Sequence, residues 1–483
     1  MSETFLNLVD GEWRAARTGR TFPDVNPADT SDVVGHLQAS GAEDVDEAVE
    51  AAARAFPGWA KTPAPVRGKY LLKAAQALEA RLEEVADLLA REEGKTIAEA
   101  RGETTRAVRI LEYFGGEGAR FSGQTVPSER ERIFMYTVRQ PLGVAALVTP
   151  WNFPIAIPAW KTAPALVCGN TVVLKPASQA PLTSRLLVEI LQGTGLPKGV
   201  LNYVTGSGRD AGTPLVAHPR VRVVSFTGSD VVGREIAQVG AKRLARVQLE
   251  MGGKNPTIVL GDADLDTAVE CVLNAAFYST GQRCTATSRA IVEKAAVGPF
   301  LERLVERTKA LRIGDPRDPQ TQLGPAIDAA QLETTLRYLE LGKREGARHV
   351  YGGERLADGP HAKGHFLRPA IFTGVDPRSR LAQEEVFGPL LAVIEVEDFD
   401  QAVESANAVR FGLSASICTK DLSRALQYVE RAEAGVVMVN LPSAGIEYQV
   451  PFGGVKDSSS GGREQGPAAA DFYSETRTVY VKY

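Results

Sequence analysis

At 483 residues the chain is too long for one ordinary hydrophobic core, so two or three domains are expected. A net charge of −4 leaves no basic footprint, which disfavours binding to nucleic acid or to an anionic membrane. No apolar run is long enough to span a bilayer, the first residues lack a signal-peptide profile, and the cysteines at 168, 271, 284 and 418 have no paired spacing, so a reducing, cytoplasmic location is expected.

Residues 5–16 read as a hairpin turning at Asp10-Gly11. Amphipathic helical patterns follow at 42–56, 66–93 and 97–114, their charged positions read as a solvated face. Residues 130–140 alternate like an exposed strand closed by Pro141, which suits an arm reaching a partner subunit. From Leu142 short apolar strands (144–148, 171–174, 200–204, 222–226) alternate with helical patterns (155–167, 183–192, 209–217), as in a parallel sheet covered on both faces. A second α/β series begins near Pro256, with strands at 257–260, 290–292, 390–395, 414–418 and 435–440, and Gly252-Gly253 is a natural hinge between the two. Histidines are few, and the one pair at helical spacing, His361 and His365, falls in a Gly- and Pro-containing loop, so no metal site is expected.

Five stretches carry possible chemistry. Cys284 follows a Gly281-Gln282-Arg283 turn behind the apolar helical pattern 268–278; a thiol on such a loop can be presented to a substrate, although a lone cysteine is more often a small buried hydrophobe. Phe226-Thr227-Gly228-Ser229, with Gly233 four residues on, sets a strand end and small residues ahead of a helix, where free N–H groups can receive a phosphate. Leu174-Lys175-Pro176-Ala177-Ser178 also ends a strand, where ligands of open parallel sheets collect. At Ser178 an acidic side chain would repel a ribose 2′-phosphate and a serine does not. Thr149-Pro150-Trp151-Asn152 forms a rigid loop whose Asn152 amide can donate to a developing oxyanion or can cap the next helix. Glu250 stands in an apolar segment before two glycines; burial would raise its pKa towards that of a general base, and a glutamate paired with an arginine would look the same.

These stretches, with Glu384-Glu385-Val386-Phe387-Gly388-Pro389 and Pro451-Phe452-Gly453-Gly454 through Gly462-Arg463-Glu464, occur in an order and at intervals that resemble the NAD(P)-dependent aldehyde dehydrogenase superfamily over nearly the whole chain. The resemblance implies an α/β fold: a Rossmann-like cofactor domain (1–122 and 142–252), an α/β catalytic domain (253–452) and a small β oligomerisation arm (123–141 and 466–483) building dimers or tetramers. It implies that Cys284 is the nucleophile and Glu250 the general base, that Asn152 and the Cys284 N–H form the oxyanion hole, and that Lys161 and Glu464 serve proton relay. Thr149, Pro150, Trp151, Lys175, Ser178, Gly228, Ser229, Gly233, Met251, Gly252, Glu385 and Phe387 match cofactor-contacting positions, and Trp160 lines the substrate pocket. Ser178 stands where NAD-preferring members commonly carry glutamate, so NADP is the expected cofactor, with NAD also possible.

The segment 439–445 through 463–466 resembles members acting on α-ketoglutaric semialdehyde (2,5-dioxopentanoate), with a succinate semialdehyde dehydrogenase or a broad-specificity aldehyde dehydrogenase the near alternatives. Arg283, by adjacency to Cys284, is a candidate for holding a substrate carboxylate. A cysteine esterase and an inactive structural relative are the alternatives from other classes.

Overall fold

A computed structural model describes residues 3–483. Two sheets dominate it. The first runs, in spatial order, through Glu12–Arg14, Asn7–Val9, Leu201–Tyr203, Thr171–Lys175, Val144–Val148, Val221–Thr227, Arg246–Glu250 and Ser459–Ser460. Its five central strands are parallel, and the apolar sequences of Val144–Val148 and Thr171–Lys175 are buried on both faces, as a sheet sandwiched between helices requires. Chain order reverses between Val144–Val148 and its neighbour Val221–Thr227, so a crevice opens at the carboxyl ends of these strands.

The hairpin folds as expected: Asp10 and Gly11 both take positive φ (54° and 77°), and Leu8 pairs with Tyr203 to close one edge of the sheet. Arg246–Glu250, absent from the expected strands, extends the other edge, where the antiparallel strand Ser459–Ser460 caps it at the Glu250↔Ser459 pair.

The second sheet is ordered Arg348–Tyr351, Ala370–Thr373, Leu390–Val396, Thr287–Glu293, Asn255–Val259, Ser414–Cys418 and Val436–Val439. All its pairs are parallel except the first. Away from both, Ser474–Lys482 pairs antiparallel with Ile133–Pro141, and Thr125–Val126 adds a short outer strand. Phe134 and Tyr480 are exposed on this ribbon. The helix Ala468–Tyr473, expected with the arm, instead sends Ala469, Phe472 and Tyr473 into the core of the first sheet, so the extended part of the arm begins at Ser474.

Two expectations about the early helices need correction. The pattern 66–93 is two helices, Ala64–Ala80 and Leu82–Glu93, broken at Arg81, whose guanidinium pairs with Glu84 at 2.7 Å and Glu189 at 3.1 Å. The solvated-face reading also fails at Arg67, Glu92, Glu93 and Glu103, which are all buried, as is Lys95 between the two helical patterns. The helix Ile97–Glu117 packs against Ala156–Val167 rather than lying at the surface, so part of its polar face turns inward towards the crevice. No helix among the described residues is long and apolar enough to cross a membrane.

Candidate active site

Cys284 is delivered by a strained turn. After the helix Leu265–Phe277, Ser279, Thr280 and Gly281 all take left-handed backbone (φ 52°, 55° and 66°). A Cβ at Gly281 would lie 2.5 Å from the Gly388 backbone, so only glycine fits there. Distant residues hold the turn: Glu99 Oε1 accepts from the Ser279 N–H at 2.7 Å, Gln282 Oε1 accepts from the Ile327 N–H at 2.9 Å, and Asn255 Nδ2 donates to the Cys284 carbonyl at 2.8 Å. Ser443 Oγ donates to the Thr285 carbonyl at 2.7 Å.

The half-buried Cys284 thiol borders a cavity of ≈ 240 Å³ walled by Phe153, Trp160, Ile446 and Phe452. Burial, followed by the nearby Glu385 and Glu250 carboxylates, pushes the thiol up to about 12, against the pull of the Thr285 and Cys284 N–H groups. The resting thiol is therefore protonated at neutral pH.

Asn152 reaches the same loop. Its Nδ2 donates to the Gln282 carbonyl at 3.0 Å, two residues before the thiol. It does not cap the following helix: the N–H groups of Ile155 and Ala156 donate to Glu103 Oε1 at 3.0 and 3.1 Å. Lys95 Nζ in turn donates to Glu103 Oε2 at 2.6 Å and to the Asn152 carbonyl at 2.8 Å.

Glu250 is buried at the end of its strand. One oxygen accepts from Ser459 Oγ at 2.6 Å, and the other, Oε1, is buried with no partner. Burial, then the charge of Glu464, pushes its pKa well above the usual carboxylate range. The arginine-paired alternative is not realised among the described residues, since Ser459 is its hydrogen-bond partner. Lys161 Nζ contacts Glu464 Oε1 and donates to Ser225 Oγ at 2.7 Å, and Trp160 Nε1 donates to Glu464 Oε2 at 2.8 Å. All four side chains are buried, so Lys161 and Glu464 form an enclosed ion pair behind the cavity wall.

A second cavity, ≈ 180 Å³, opens at the carboxyl ends of the first sheet between Val148, Lys175, Gly212, Phe226 and Ile236. Lys175 donates only to the Pro176 carbonyl, at 2.6 Å, and burial lowers its pKa to about 8. Ser178 Oγ donates to the Gly206 carbonyl at 3.0 Å. Thr149 and Thr227 at the two central strand ends keep buried hydroxyls without partners. Gly228 precedes Ser229, which caps the helix Asp230–Ala241, with Gly233 in its first turn packed on Met251.

Towards the thiol, Glu385 Oε1 accepts from the Gly253 N–H at 3.0 Å, and a Cβ at Gly252 would lie 1.9 Å from the same carboxylate. Burial raises Glu385 to about 7. Trp151, next to Pro150, meets Phe387 edge to face with centroids 5.4 Å apart, and Phe387 has a left-handed φ of 59°. The orphaned hydroxyls, the lysine without a carboxylate and the small residues Gly228 and Ser229 at the start of the helix Asp230–Ala241 fit a dinucleotide lying from the second cavity towards Cys284.

Of the two substrate-side expectations, Trp160 does wall the thiol cavity. Arg283 borders it too, but its charge is committed to Glu99 at 3.0 Å. Glu103 and Arg106, which also border this cavity, were missed because helical periodicity alone assigned them to a solvated face, and Lys95, another border residue, fell between two helical patterns. Asn255, at the start of its strand, and Ser443, in the loop after Val436–Val439, were given no role of their own, because a polar residue in such a place does not show what it will bond.

The Aldehyde dehydrogenase family model matches residues 13–479. The chain is 49% identical to the alpha-ketoglutaric semialdehyde dehydrogenase of Bacillus subtilis (strain 168), covering 99% of this chain and 98% of that protein. It is 46% identical to the alpha-ketoglutarate semialdehyde dehydrogenase of Haloferax volcanii, covering 100% of both. A crystal structure of betaine aldehyde dehydrogenase from Staphylococcus aureus in complex with NAD+ is similar in fold, with a TM-score of 0.96, 32% identity, and coverage of 99% of this chain and 94% of that one.

Proposed function

This chain belongs to the aldehyde dehydrogenase family, as an NAD(P)-dependent oxidoreductase acting on aldehydes, and on that premise we propose that it converts α-ketoglutaric semialdehyde to 2-oxoglutarate. The observation that carries the substrate is the near-complete alignment, at 49% and 46% identity, with relatives bearing that activity in their names.

In this reading the Cys284 sulfur adds to the aldehyde carbon as its proton passes to the ionised form of the nearby Glu250, which returns it to solvent before the hydrolysis step. The oxygen that becomes negative is held by Asn152 Nδ2 and the Cys284 N–H. The bound nicotinamide supplies the hydride acceptor. The acyl group is left as a thioester on Cys284. Glu250 Oε1, buried and free of any protein donor, takes a proton from the water that hydrolyses it. Lys161 and Glu464 balance one another behind Glu250, and the Coulombic push of Glu464 helps to set the basicity of Glu250.

On the cofactor side, Thr149, Pro150, Trp151, Lys175, Ser178, Gly228, Ser229, Gly233, Met251, Gly252, Glu385 and Phe387 would hold the dinucleotide. Ser178 offers no charge against a 2′-phosphate, so NADP is accepted alongside NAD. The domain plan is a cofactor domain of 1–122 and 142–252, a catalytic domain of 253–452, and an arm of 123–141 and 466–483 through which cytoplasmic dimers or tetramers assemble.

The test is steady-state reduction of NAD and of NADP with a panel of aldehydes. The expected result is the highest kcat/KM for α-ketoglutaric semialdehyde. A higher value for succinate semialdehyde or for an uncharged aldehyde would overturn the substrate assignment while leaving the family reaction intact.

A further inference from the structure

The charged residues bordering the Cys284 cavity sort into satisfied and unsatisfied groups. Glu103 is paired with Lys95 at 2.6 Å, and Glu99 with Arg283 at 3.0 Å. Arg283 is fixed further by donating from Nε to Ser279 Oγ at 3.0 Å, so it has little left to offer a ligand. Arg106 is the exception. Among the described residues no carboxylate lies within salt-bridge distance of it, and its one hydrogen bond runs from Nη2 to Gln465 Oε1 at 3.3 Å. Its Nε is buried without an acceptor, and its guanidinium lies 5.7 Å from the centre of the Trp160 ring.

Gln465 has the complementary deficit. Because its Oε1 accepts from Arg106, its Nε2 is turned elsewhere, and that donor is also buried without an acceptor. The residue is 1% exposed and holds a left-handed φ of 59°, which a non-glycine residue keeps only when its surroundings impose it. Arg106 and Gln465, from separate parts of the chain, thus both border one cavity, and each keeps a buried donor without an acceptor. A largely enclosed guanidinium without a counter-charge is costly, so an anion entering the cavity beside Arg106 would supply the charge it lacks. Burial pulls the Arg106 pKa below its usual value, yet an arginine remains charged.

We propose that Arg106 and Gln465 form the subsite for the carboxylate end of an aldehyde acid, placed so that the opposite, aldehyde end meets Cys284. The proposal rests on the acidic-semialdehyde reading above. It deepens that reading by assigning recognition to Arg106 instead of Arg283. The apolar walls strip water from the chain between the two ends, which strengthens the charge-assisted pair.

The experiment compares α-ketoglutaric and succinic semialdehydes with uncharged pentanal and butanal, in the wild type and in Arg106→Leu and Arg106→Lys. The wild type is expected to favour the acids. Arg106→Leu is expected to raise KM for the acids about 100-fold more than for the neutral aldehydes. Arg106→Lys recovers part of the difference, because it restores the charge but not the fork. Retention of the acid preference by Arg106→Leu, or an equal rise in both KM values, overturns the subsite and leaves the substrate reading standing. A wild type with no acid preference overturns both.

Should Arg106→Leu fail to fold, the deciding measurement is inhibition of pentanal oxidation by 2-oxoglutarate and by pentanoate, in the wild type and in Arg106→Lys. Selective weakening of 2-oxoglutarate by about tenfold supports the subsite, and unchanged inhibition overturns it.

Discussion

Lys95 Nζ donates to the Asn152 carbonyl at 2.8 Å while held in a buried ion pair with Glu103, so the backbone carrying the Asn152 amide is anchored from behind by charge. Glu103 in turn receives the first two N–H groups after the loop. In the proposed reaction Lys95 is therefore a positioning residue, acting on the substrate oxygen only through Asn152.

Lys95→Met is expected to lower kcat about tenfold with a smaller change in KM, and to destabilise the fold by about 3 kcal/mol, because Glu103 is left buried and unpaired. Asn152→Ala is expected to lower kcat by about 100-fold to 1000-fold. The double variant should be no slower than Asn152→Ala alone. Multiplicative losses in steady-state rates would mean that Lys95 acts by another route.

The buried thiol makes a prediction about the free enzyme. Alkylation of Cys284 by iodoacetamide, with Cys284→Ala as the blank, should be slow at neutral pH and rise about tenfold per pH unit through the accessible alkaline range. A rate that levels off below pH 8 would show that the thiol is already ionised at rest.

For Glu250 the sign follows from its raised pKa. The folded protein holds this proton more tightly than the unfolded chain. The group's contribution to stability is therefore present at low pH and lost as pH rises from 4.5 through the folded value. Activity runs the opposite way, since thioester hydrolysis needs the ionised form and falls on the acid side. Glu464→Gln removes a Coulombic push on Glu250 and leaves Lys161 uncompensated, so the acid limb of the kcat profile should move to lower pH. A limb that stays in place, in a variant whose folding is verified by circular dichroism, would separate Glu250 from its neighbour.

Ser178→Glu places a carboxylate where Ser178 now meets the Gly206 carbonyl at 3.0 Å. The expected outcome is a loss of roughly 100-fold in kcat/KM for NADP with NAD largely retained. Equal losses for both cofactors would place the 2′-phosphate elsewhere.

Much of this architecture is legible in the chain itself. Val144–Val148 and Ser414–Cys418 were expected at the boundaries they have, because an apolar run bounded by turn residues leaves few other options. The motif residues were legible for a different reason: Cys284, Asn152 and Glu250 sit beside glycines, prolines and aromatic residues whose local chemistry is unusual. Arg106 has no such company, and the glycines beside Lys95 and Gln465 do not show what those side chains meet. Their importance arises only when Ile97–Glu117 packs across Ala156–Val167 and the segment after Phe452 folds back, relationships between residues 57 to 359 positions apart that periodicity does not encode. Arg283 errs in the other direction, since adjacency to the thiol suggested a free cation and the fold supplied Glu99.

The strand Ser459–Ser460, short as it is, sets the order in which competence is acquired. Ser459 bonds Glu250 from 209 positions later, and Glu464 reaches Lys161 from 303 positions later. A nascent chain thus carries its thiol, its amide and its base long before the side chains that finish them are synthesised. On the proposed roles, a chain whose strand Ser459–Ser460 is missing or cut free is expected to lack turnover although Asn152, Glu250 and Cys284 all remain.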